Sequence, residues 1–297
     1  MSNEQNFEDY KKAGKIAAEV REFAKKIVKV DGSLLEATEL IEQQIIKLGG
    51  RPAFPIDMSL NNIAAHYSAT INDKTVFKEN NLVKVDIGVH INGAVADTAV
   101  SIDLGNNREL IKAAELALLE ALKLVKPGIK ILEIGAVIQQ TIQDFGFSPI
   151  RNLSGHGLEL YKVHTKPNIP NINNGDKNIL QENQIIAIEP FATNGAGLII
   201  NGKPSEIYEL KIKKPIRNQS ARKLLSFIEQ EYRTLPFNKR WLLNKFNNLD
   251  VSLGLSLLER EGILYQYSIL PEKNDGIVSQ AEHTVIVKDD SIITTNL

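Results

Sequence analysis

The chain has 297 residues, of which 43% are hydrophobic and 24% charged, and its formal net charge is -1. This composition is typical of a globular protein, so collagen, extended disorder and coiled coil are excluded as descriptions of the whole chain. The balanced charge predicts no bulk attraction to nucleic acid or membranes. The absence of cysteine excludes disulfides, thiolate metal sites and cysteine nucleophiles.

The sequence predicts neither a targeting segment nor a membrane span. Residues 1–12 are polar and lack the apolar core of a signal peptide. The most apolar helical run, 113–125, is interrupted at amphipathic spacing by Glu115, Glu120 and Lys123. We therefore expect a cytoplasmic protein with no membrane partner.

Two stretches of the first hundred residues recur later in the chain. Amphipathic helices, each ended by a glycine, are predicted over 32–49 and 129–146, which align with an offset of 97. Strand-like residues 78–86 and 181–189 align with an offset of 103. Two matches in the same order predict a duplication.

The predicted halves cover about residues 5–105 and 107–212, and each contains two helices followed by strands. Equivalent strands end in Asp86 in the first half and in Glu189 in the second. Halves related by an approximate twofold axis would each contribute one of these carboxylates to a shared site.

A later segment has no counterpart in the duplication. We expect an inserted helical subdomain at 214–272, with the remaining domain formed by 1–213 and 273–297. Pro236 and the pair Asn247-Asn248 separate its helical patterns. These patterns cover residues 218–233, 238–246 and 251–264.

The strand-like run 83–102 contains Asn92-Gly93, a strong hairpin signal. A two-residue turn would place Asp97 opposite Gly88, with Asp86 two positions further along the facing strand. The two aspartates would then share a face as diagonal neighbours about 7–8 Å apart. Glycine at position 88 would leave open space before Asp97. Alone, each aspartate could be a turn or edge residue, but two such charges on one face repel each other unless a cation lies between them, so the pair favours a metal site.

Four acids lie in apolar strand-like runs, where a charge costs several kcal/mol unless it is paired or binds a metal. They are Asp86, Asp97, Glu189 and Glu282. Nearby lysines and arginines are too few to pair all four. His156, between two glycines, adds one imidazole, although a lone histidine is more often a core residue. Two divalent cations would balance the four charges, and such ligands favour Mn, Fe or Co.

The other histidines carry different expectations. His90 lies beside the hairpin turn and should be solvated. His283 should point away from the face that carries Glu282, because side chains alternate along a strand. His66 lies in a mostly apolar run, and His164 follows a Tyr-Lys pair.

Five motifs resemble, in chain order, those of type II methionine aminopeptidases in the pita-bread family. They are residues 53–69, 85–102, 152–164, 185–197 and 279–287. The resemblance implies an α+β pita-bread fold with an internal pseudo-twofold duplication and an inserted helical subdomain. It places the family's metal ligands, without substitution, on Asp86, Asp97, His156, Glu189 and Glu282.

The resemblance also implies an activity. Two divalent ions (Co, Mn, Fe or Zn) would support attack of a metal-bridging hydroxide on the first peptide bond of nascent proteins, releasing the initiator methionine before a small second residue. Glu189 would shuttle the proton, while His66 and His164 would orient the scissile amide and stabilise the oxyanion. The substrate-binding residues would be Phe54, His66, His164, Phe191 and Tyr267.

The type assignment depends on the insert between Glu189 and Glu282, which type I enzymes lack. A charged N-terminal extension typical of eukaryotic type II proteins is also missing, so the chain resembles archaeal members.

Two other functions stay open. One is an inactive pita-bread protein that binds RNA or the ribosome, although such relatives have lost metal ligands that are present here. The insert supports a transient ribosome contact through seven basic residues, Arg217, Arg222, Lys223, Arg233, Lys239, Arg240 and Lys245. These charges can equally be solvated helix faces. The other function is an aminopeptidase for X-Pro peptides. No direct DNA partner is expected.

Overall fold

Two helices precede the main strands in each half of the chain. The computed structural model describes the backbone of residues 3–297 and side chains from residue 7 onward. The helices are α1 (Asn3–Ile27), α2 (Leu34–Lys47), α3 (Arg108–Leu124) and α4 (Ile131–Asp144). Ser33 caps α2 by accepting a hydrogen bond from the main-chain N–H of Glu36.

Each half then continues into antiparallel strands of two to ten residues. In the first half they are β1 (Arg51–Pro52), β2 (Asp57–Leu60), β3 (Ile63–Ala65), β4 (Leu82–Ile91) and β5 (Ala94–Asp103). In the second they are β6 (Ser148–Pro149), β7 (Ser154–Glu159), β8 (Lys162–Pro170), β9 (Ile185–Ile188) and β10 (Phe191–Thr193).

The last third of the chain forms the insert and the closing strands. Its elements are β11 (Pro204–Leu210), α5 (Gln219–Glu231), β12 (Phe237–Asn238), α6 (Lys239–Leu242), α7 (Asn248–Arg260), β13 (Leu264–Ser268), β14 (Leu270–Pro271), β15 (Val278–Gln280), β16 (His283–Ile286) and β17 (Ile292–Ile293).

Three antiparallel sheets form the centre of the molecule. In the first half, β4 pairs with β5 and also with β1 and β2. In the second half, five strands follow the order β17-β16-β9-β7-β8, and β10 lies between β15 and β6. All these pairs are antiparallel.

An isolated β-bridge recurs at the residue that precedes the second helix of each half. Ser33 bridges Val76 in the first half, and Lys130 bridges Ile179 in the second. Lys130 follows Ser33 by 97 positions and Ile179 follows Val76 by 103, which are the two offsets found in the sequence alignment. The pairing of β1 with β4 recurs between β6 and β10 with the same offsets. The repetition of hydrogen bonding confirms the predicted duplication.

Alternation along β4 separates the core from the opposite face of the sheet. Val85, Ile87 and Val89 are fully buried in a cluster with α1 and α2. Burying each such side chain contributes about 1.5–3 kcal/mol. An equivalent cluster packs α3 and α4 against Ile186 and Ile188 of β9. The opposite face of β4 carries Asp86, and that of β9 leads to Glu189, the residue that follows this strand.

The insert packs around its own apolar cluster. Helices α5 and α7 contact a sheet of order β12-β11-β13, and the cluster includes Tyr208 and Leu210, which precede residue 214. The predicted domain boundaries stay a prediction. The predicted helix over 251–264 is wrong at its end, because Gly262 adopts a φ of 68° after α7 and β13 begins at Leu264. The helices in residues 3–297 all lack the length or hydropathy needed to cross a membrane.

Candidate metal centre

A tight hairpin aligns the first two acids. Asn92 and Gly93 have φ values of 51° and 92°, the signs that a type I′ turn requires. The strands pair so that Asp97 lies opposite Gly88 and Asp86 lies opposite Ala99. This is the predicted register, and it puts both carboxylates on one face. The space at Gly88 is not open as expected, because the Phe54 ring fills it; a Cβ there would lie 2.2 Å from that ring.

The second half supplies two glutamates in the same register. Ile188 pairs with His283, and Phe191 pairs with Gln280. This common register places Glu189 opposite Glu282. Sheet alternation therefore directs one carboxylate from each of two neighbouring strands toward the same side.

His156 lies between the acids of the two halves. Its Nε2 is 3.6 Å from Asp97 Oδ2 and 3.7 Å from Glu189 Oε1, beyond hydrogen-bonding distance. One ligand atom each from Asp97, His156 and Glu282 lies within 4.8 Å of the others. The gaps are those expected of ligands arranged around a cation.

Several carboxylate oxygens at this centre are buried without a partner. Asp86 Oδ1, Asp97 Oδ1 and both oxygens of Glu282 accept no hydrogen bond from residues 7–297. Burial raises the pKa of Asp86 to about 6. Burial, with repulsion among the acids, also raises the pKa values of Asp97, Glu189 and Glu282 well above their usual range. Such a cluster is costly unless cations compensate it, so its chemistry fits divalent metals.

The structure brings every predicted site residue to one cavity of about 230 Å³, here called the catalytic cavity. The predicted residues that line it are Phe54, His66, Asp86, Asp97, His156, His164, Glu189, Phe191, Tyr267 and Glu282. Their individual roles stay predictions.

The two further histidines of the cavity belong to an aromatic group. The His66 ring lies edge-on to Tyr267 with centroids 5.0 Å apart, and His164 lies 4.5 Å from the His156 ring. Burial lowers the pKa of His66 to about 4. Desolvation lowers the pKa of His164, with smaller effects from His156 and His66, although part of the His164 surface is exposed at the cavity mouth. Both rings are therefore neutral near pH 7.

The proton on His66 can be assigned from its partner. Nδ1 lies 3.2 Å from the carbonyl oxygen of Ser268, which only accepts hydrogen bonds. In the neutral ring Nδ1 therefore carries the proton, and Nε2 is an acceptor. His66 also adopts a φ of 68°, which is uncommon for a residue with a side chain.

The sequence reasoning missed a fifth acid that lines the catalytic cavity. Asp57 lies opposite Asp86 on β2 and lines the catalytic cavity. It accepts hydrogen bonds from the Ser59 hydroxyl at 2.5 Å and from the main-chain N–H of His66. Burial and repulsion from Asp86 raise the pKa of Asp57 to about 7. The same criterion, an acid within an apolar run, would have found it in residues 53–60.

Two other histidines test the strand-based expectations. His90 was expected to be solvated but is only 8% exposed, because Tyr161 packs against it with ring centroids 5.7 Å apart. His283 points away from the catalytic cavity, as predicted, and its Nδ1 lies 2.7 Å from Thr295 Oγ1.

Comparison with known proteins identifies relatives along nearly the whole chain. Residues 8–289 match the profile of Metallopeptidase family M24. The methionine aminopeptidase of Pyrococcus horikoshii is 48% identical over 95% of this chain and 97% of its own. That of Methanocaldococcus jannaschii is 43% identical over 98% and 99%.

Solved structures agree on the fold. Methionine aminopeptidase from Thermotoga maritima has a TM-score of 0.72 at 22% identity, covering 99% of this chain and 97% of its own. Prolidase from Pyrococcus furiosus has a TM-score of 0.62 at 17% identity, covering 99% of this chain and 64% of its own. The predicted α+β pita-bread architecture is confirmed by this likeness.

Proposed function

The chain belongs to metallopeptidase family M24, and we propose that it is a methionyl aminopeptidase that removes the initiator methionine from polypeptides whose second residue is small. Full-length similarity to archaeal methionine aminopeptidases supports metal-dependent release of methionine. The observation that carries the proposed site is the set of buried acids with unpartnered oxygens around His156.

Two divalent ions are proposed to bind at this centre. Their ligands would be Asp86, Asp97, His156, Glu189 and Glu282. Four carboxylates balance the charge of two dications, and the unpartnered oxygens supply free lone pairs. Co, Mn, Fe and Zn all accept such ligands. When bound, divalent ions lower the pKa of water and polarise a carbonyl group.

Glu189 is the proposed proton shuttle. Its carboxylate follows β9 and lines the catalytic cavity, and burial favours its protonated form. A carboxylate that takes up a proton readily can accept one from water and deliver it to the leaving amine.

The two cavity histidines are proposed to act on opposite sides of the scissile amide. Nε2 of His66 is an acceptor when its Nδ1 donates to Ser268, so it suits an amide N–H. Stabilising the developing oxyanion requires a donor, and this role falls to His164. Both histidines line the catalytic cavity, where the scissile amide would bind.

The methionine side chain is proposed to bind among Phe54, Phe191 and Tyr267. Aromatic groups suit a polarisable thioether. Tyr267 is held in place because its hydroxyl donates to Glu209 at 2.5 Å. A cavity of about 230 Å³ leaves little room beyond methionine, which supports selection of a small second residue.

The decisive experiment measures metal content and peptide cleavage together. Elemental analysis should give two ions per chain, and Met-Ala-Ser should release methionine until a chelator removes the metal. An Ala-Pro-Ser peptide tests the X-Pro alternative and should stay intact. Full Met-Ala-Ser turnover by the metal-free protein would overturn the proposal.

The proposed substrates are nascent polypeptides in the cytoplasm, with a transient ribosome contact through the insert. Three of the seven predicted basic residues are engaged within the chain. Arg222 donates to main-chain carbonyls, Arg233 stacks on Tyr161, and Arg240 pairs with Glu42. Exposed Arg217, Lys223 and Lys245 are the better candidates. Unchanged ribosome co-sedimentation after reversing these three charges would contradict the contact.

A further inference from the structure

A polar cavity adjoins the catalytic cavity beside β8. This outer cavity has a volume of about 400 Å³ and is lined by Ser154, His156, His164, Thr165, Lys166 and Asn168. The first three of these residues also line the catalytic cavity. The two spaces therefore meet at His164.

We propose that the outer cavity binds the third to fifth residues of the substrate polypeptide, and that Lys166 favours a carboxylate side chain there. This inference rests on the proposed function. Under the proposed function, the substrate amine would lie at the metal end of the catalytic cavity, with His164 beside the scissile bond. Residues that follow the bond must leave past His164, and two extended residues cover about 7 Å.

A second route out of the catalytic cavity is less suitable. A larger groove of about 850 Å³ lies between α2 and the insert, but of residues 7–297 it shares only Pro236 with the catalytic cavity. The neighbouring Leu235 is buried and packs in an apolar cluster with Phe54 at its edge. Among the described residues the groove thus meets the catalytic cavity at a single residue, whereas Ser154, His156 and His164 line both of the other spaces.

The outer cavity offers groups that suit an extended peptide. Strand β8 lies at the edge of its sheet, and Thr165 and Asn168 provide hydrogen-bonding side chains. The Thr165 hydroxyl donates only a long hydrogen bond of 3.4 Å to a main-chain carbonyl of the same strand. A peptide carbonyl or N–H can replace this weak contact.

The charge of the outer cavity is positive. Among residues 7–297, its lining contains no carboxylate. Lys166 is exposed and forms no ion pair with residues 7–297. Lys211 also acts electrostatically on His164, but its ammonium pairs with Glu209 at 2.7 Å. Lys166 is thus the cation available to an acidic substrate side chain.

The test compares tetrapeptides that differ only in charge. The metal-loaded protein cleaves Met-Ala-Asp-Ser and Met-Ala-Ser-Asp alongside their lysine counterparts, and kcat/KM is measured for each. An exposed ion pair should favour the acidic peptides by roughly two- to fivefold, mainly through KM. The preference should fade in 0.5 M salt, because the pair is solvent-exposed.

Three variants test whether Lys166 causes the preference for acidic peptides. Lys166→Gln should bring the acid-to-lysine ratio near one, and Lys166→Glu should reverse it. Lys162→Glu is the matched control, because Lys162 is exposed on the same strand, pairs with Glu159 and lines neither cavity. The acid-to-lysine ratio of kcat/KM for the Lys162→Glu control should equal that of the parent protein.

The outcomes separate this inference from the function on which it rests. An unchanged ratio in both Lys166 variants would overturn the inference while methionine release continues. Failure of the parent protein to release methionine from any of the peptides would instead overturn the proposed function.

Discussion

The two halves of the molecule share a strand register but differ in which positions carry an acid. Asp86 faces Ala99 in the first half, whereas the equivalent Glu189 faces Glu282 in the second. The duplicated backbone thus places both pairs of positions alike, while the second half carries a further carboxylate at one of them.

At the next pair of positions along these strands, it is the first half that carries the acid. Asp97 faces Gly88 in the first half, whereas Gln280 faces Phe191 in the second. Gln280 donates through Nε2 to Asp86 Oδ2 at 3.0 Å, so the second half supplies an amide donor where the first has an acid. The asymmetry keeps four acids around His156, and at these two pairs of positions the small residues, Ala99 and Gly88, both belong to the first half. Phe54 occupies the space at Gly88.

Of the four substitutions, replacing Glu189 by glutamine should have the largest effect on activity. The variant keeps the shape of the side chain but removes both a charge and the proposed proton acceptor. We expect turnover of Met-Ala-Ser to fall roughly 10²–10⁴-fold, with weaker metal binding by titration. Exposed Glu182→Gln is the control. Parent-like turnover in Glu189→Gln would remove this residue from the mechanism.

Gln280→Glu would make the two halves alike at this position. The change removes the donor to Asp86 and adds a charge at a site that is 2% exposed. The free energy of unfolding of the metal-free protein should fall by about 2–3 kcal/mol, measured by chemical denaturation. Exposed Gln181→Glu should have almost no effect. Equal stability of the two variants would contradict the buried contact.

Asp57→Ala tests a contact to His66 that only the first half provides. Without the carboxylate, the main-chain N–H of His66 loses its acceptor. We expect kcat to fall about tenfold, as for other groups that orient site residues. Asp57→Asn retains an acceptor oxygen and should recover most of this loss. Equal kcat values in both variants would argue against a positioning role.

Gly88→Ala should have the smallest effect of the four. The added Cβ displaces the Phe54 ring, which lines the proposed methionine pocket. Overpacking typically costs 1–3 kcal/mol. Because the Phe54 ring can rotate away from the added Cβ, we expect a cost near 1 kcal/mol, which corresponds to an increase in KM of about fivefold. Ala99→Gly changes the same strand pair without moving that ring. Cleavage kinetics for Met-Ala-Ser separate the two variants.

The sequence predicted the features that depend on local chemistry. The Asn92-Gly93 turn and the twofold period of strands were sufficient to place Asp86 and Asp97 on one face. The burial of His90 depends on Tyr161, which comes from another hairpin, so no local pattern indicates it. The pairing of Asp57 with Asp86 likewise depends on a four-residue strand that is distant in sequence.

The hairpin tip also connects the halves. The Tyr161 N–H donates to the carbonyl of Gly93 at 2.8 Å, and a Cβ on Gly93 would lie 2.2 Å from the Tyr161 ring. Hairpin tips ordinarily tolerate insertions during evolution. Here one extra residue in the turn at Gly93 would direct Asp97 to the opposite face of the sheet. It would also separate this turn from the turn at Tyr161. We therefore expect natural length variation to be confined to other loops of this protein.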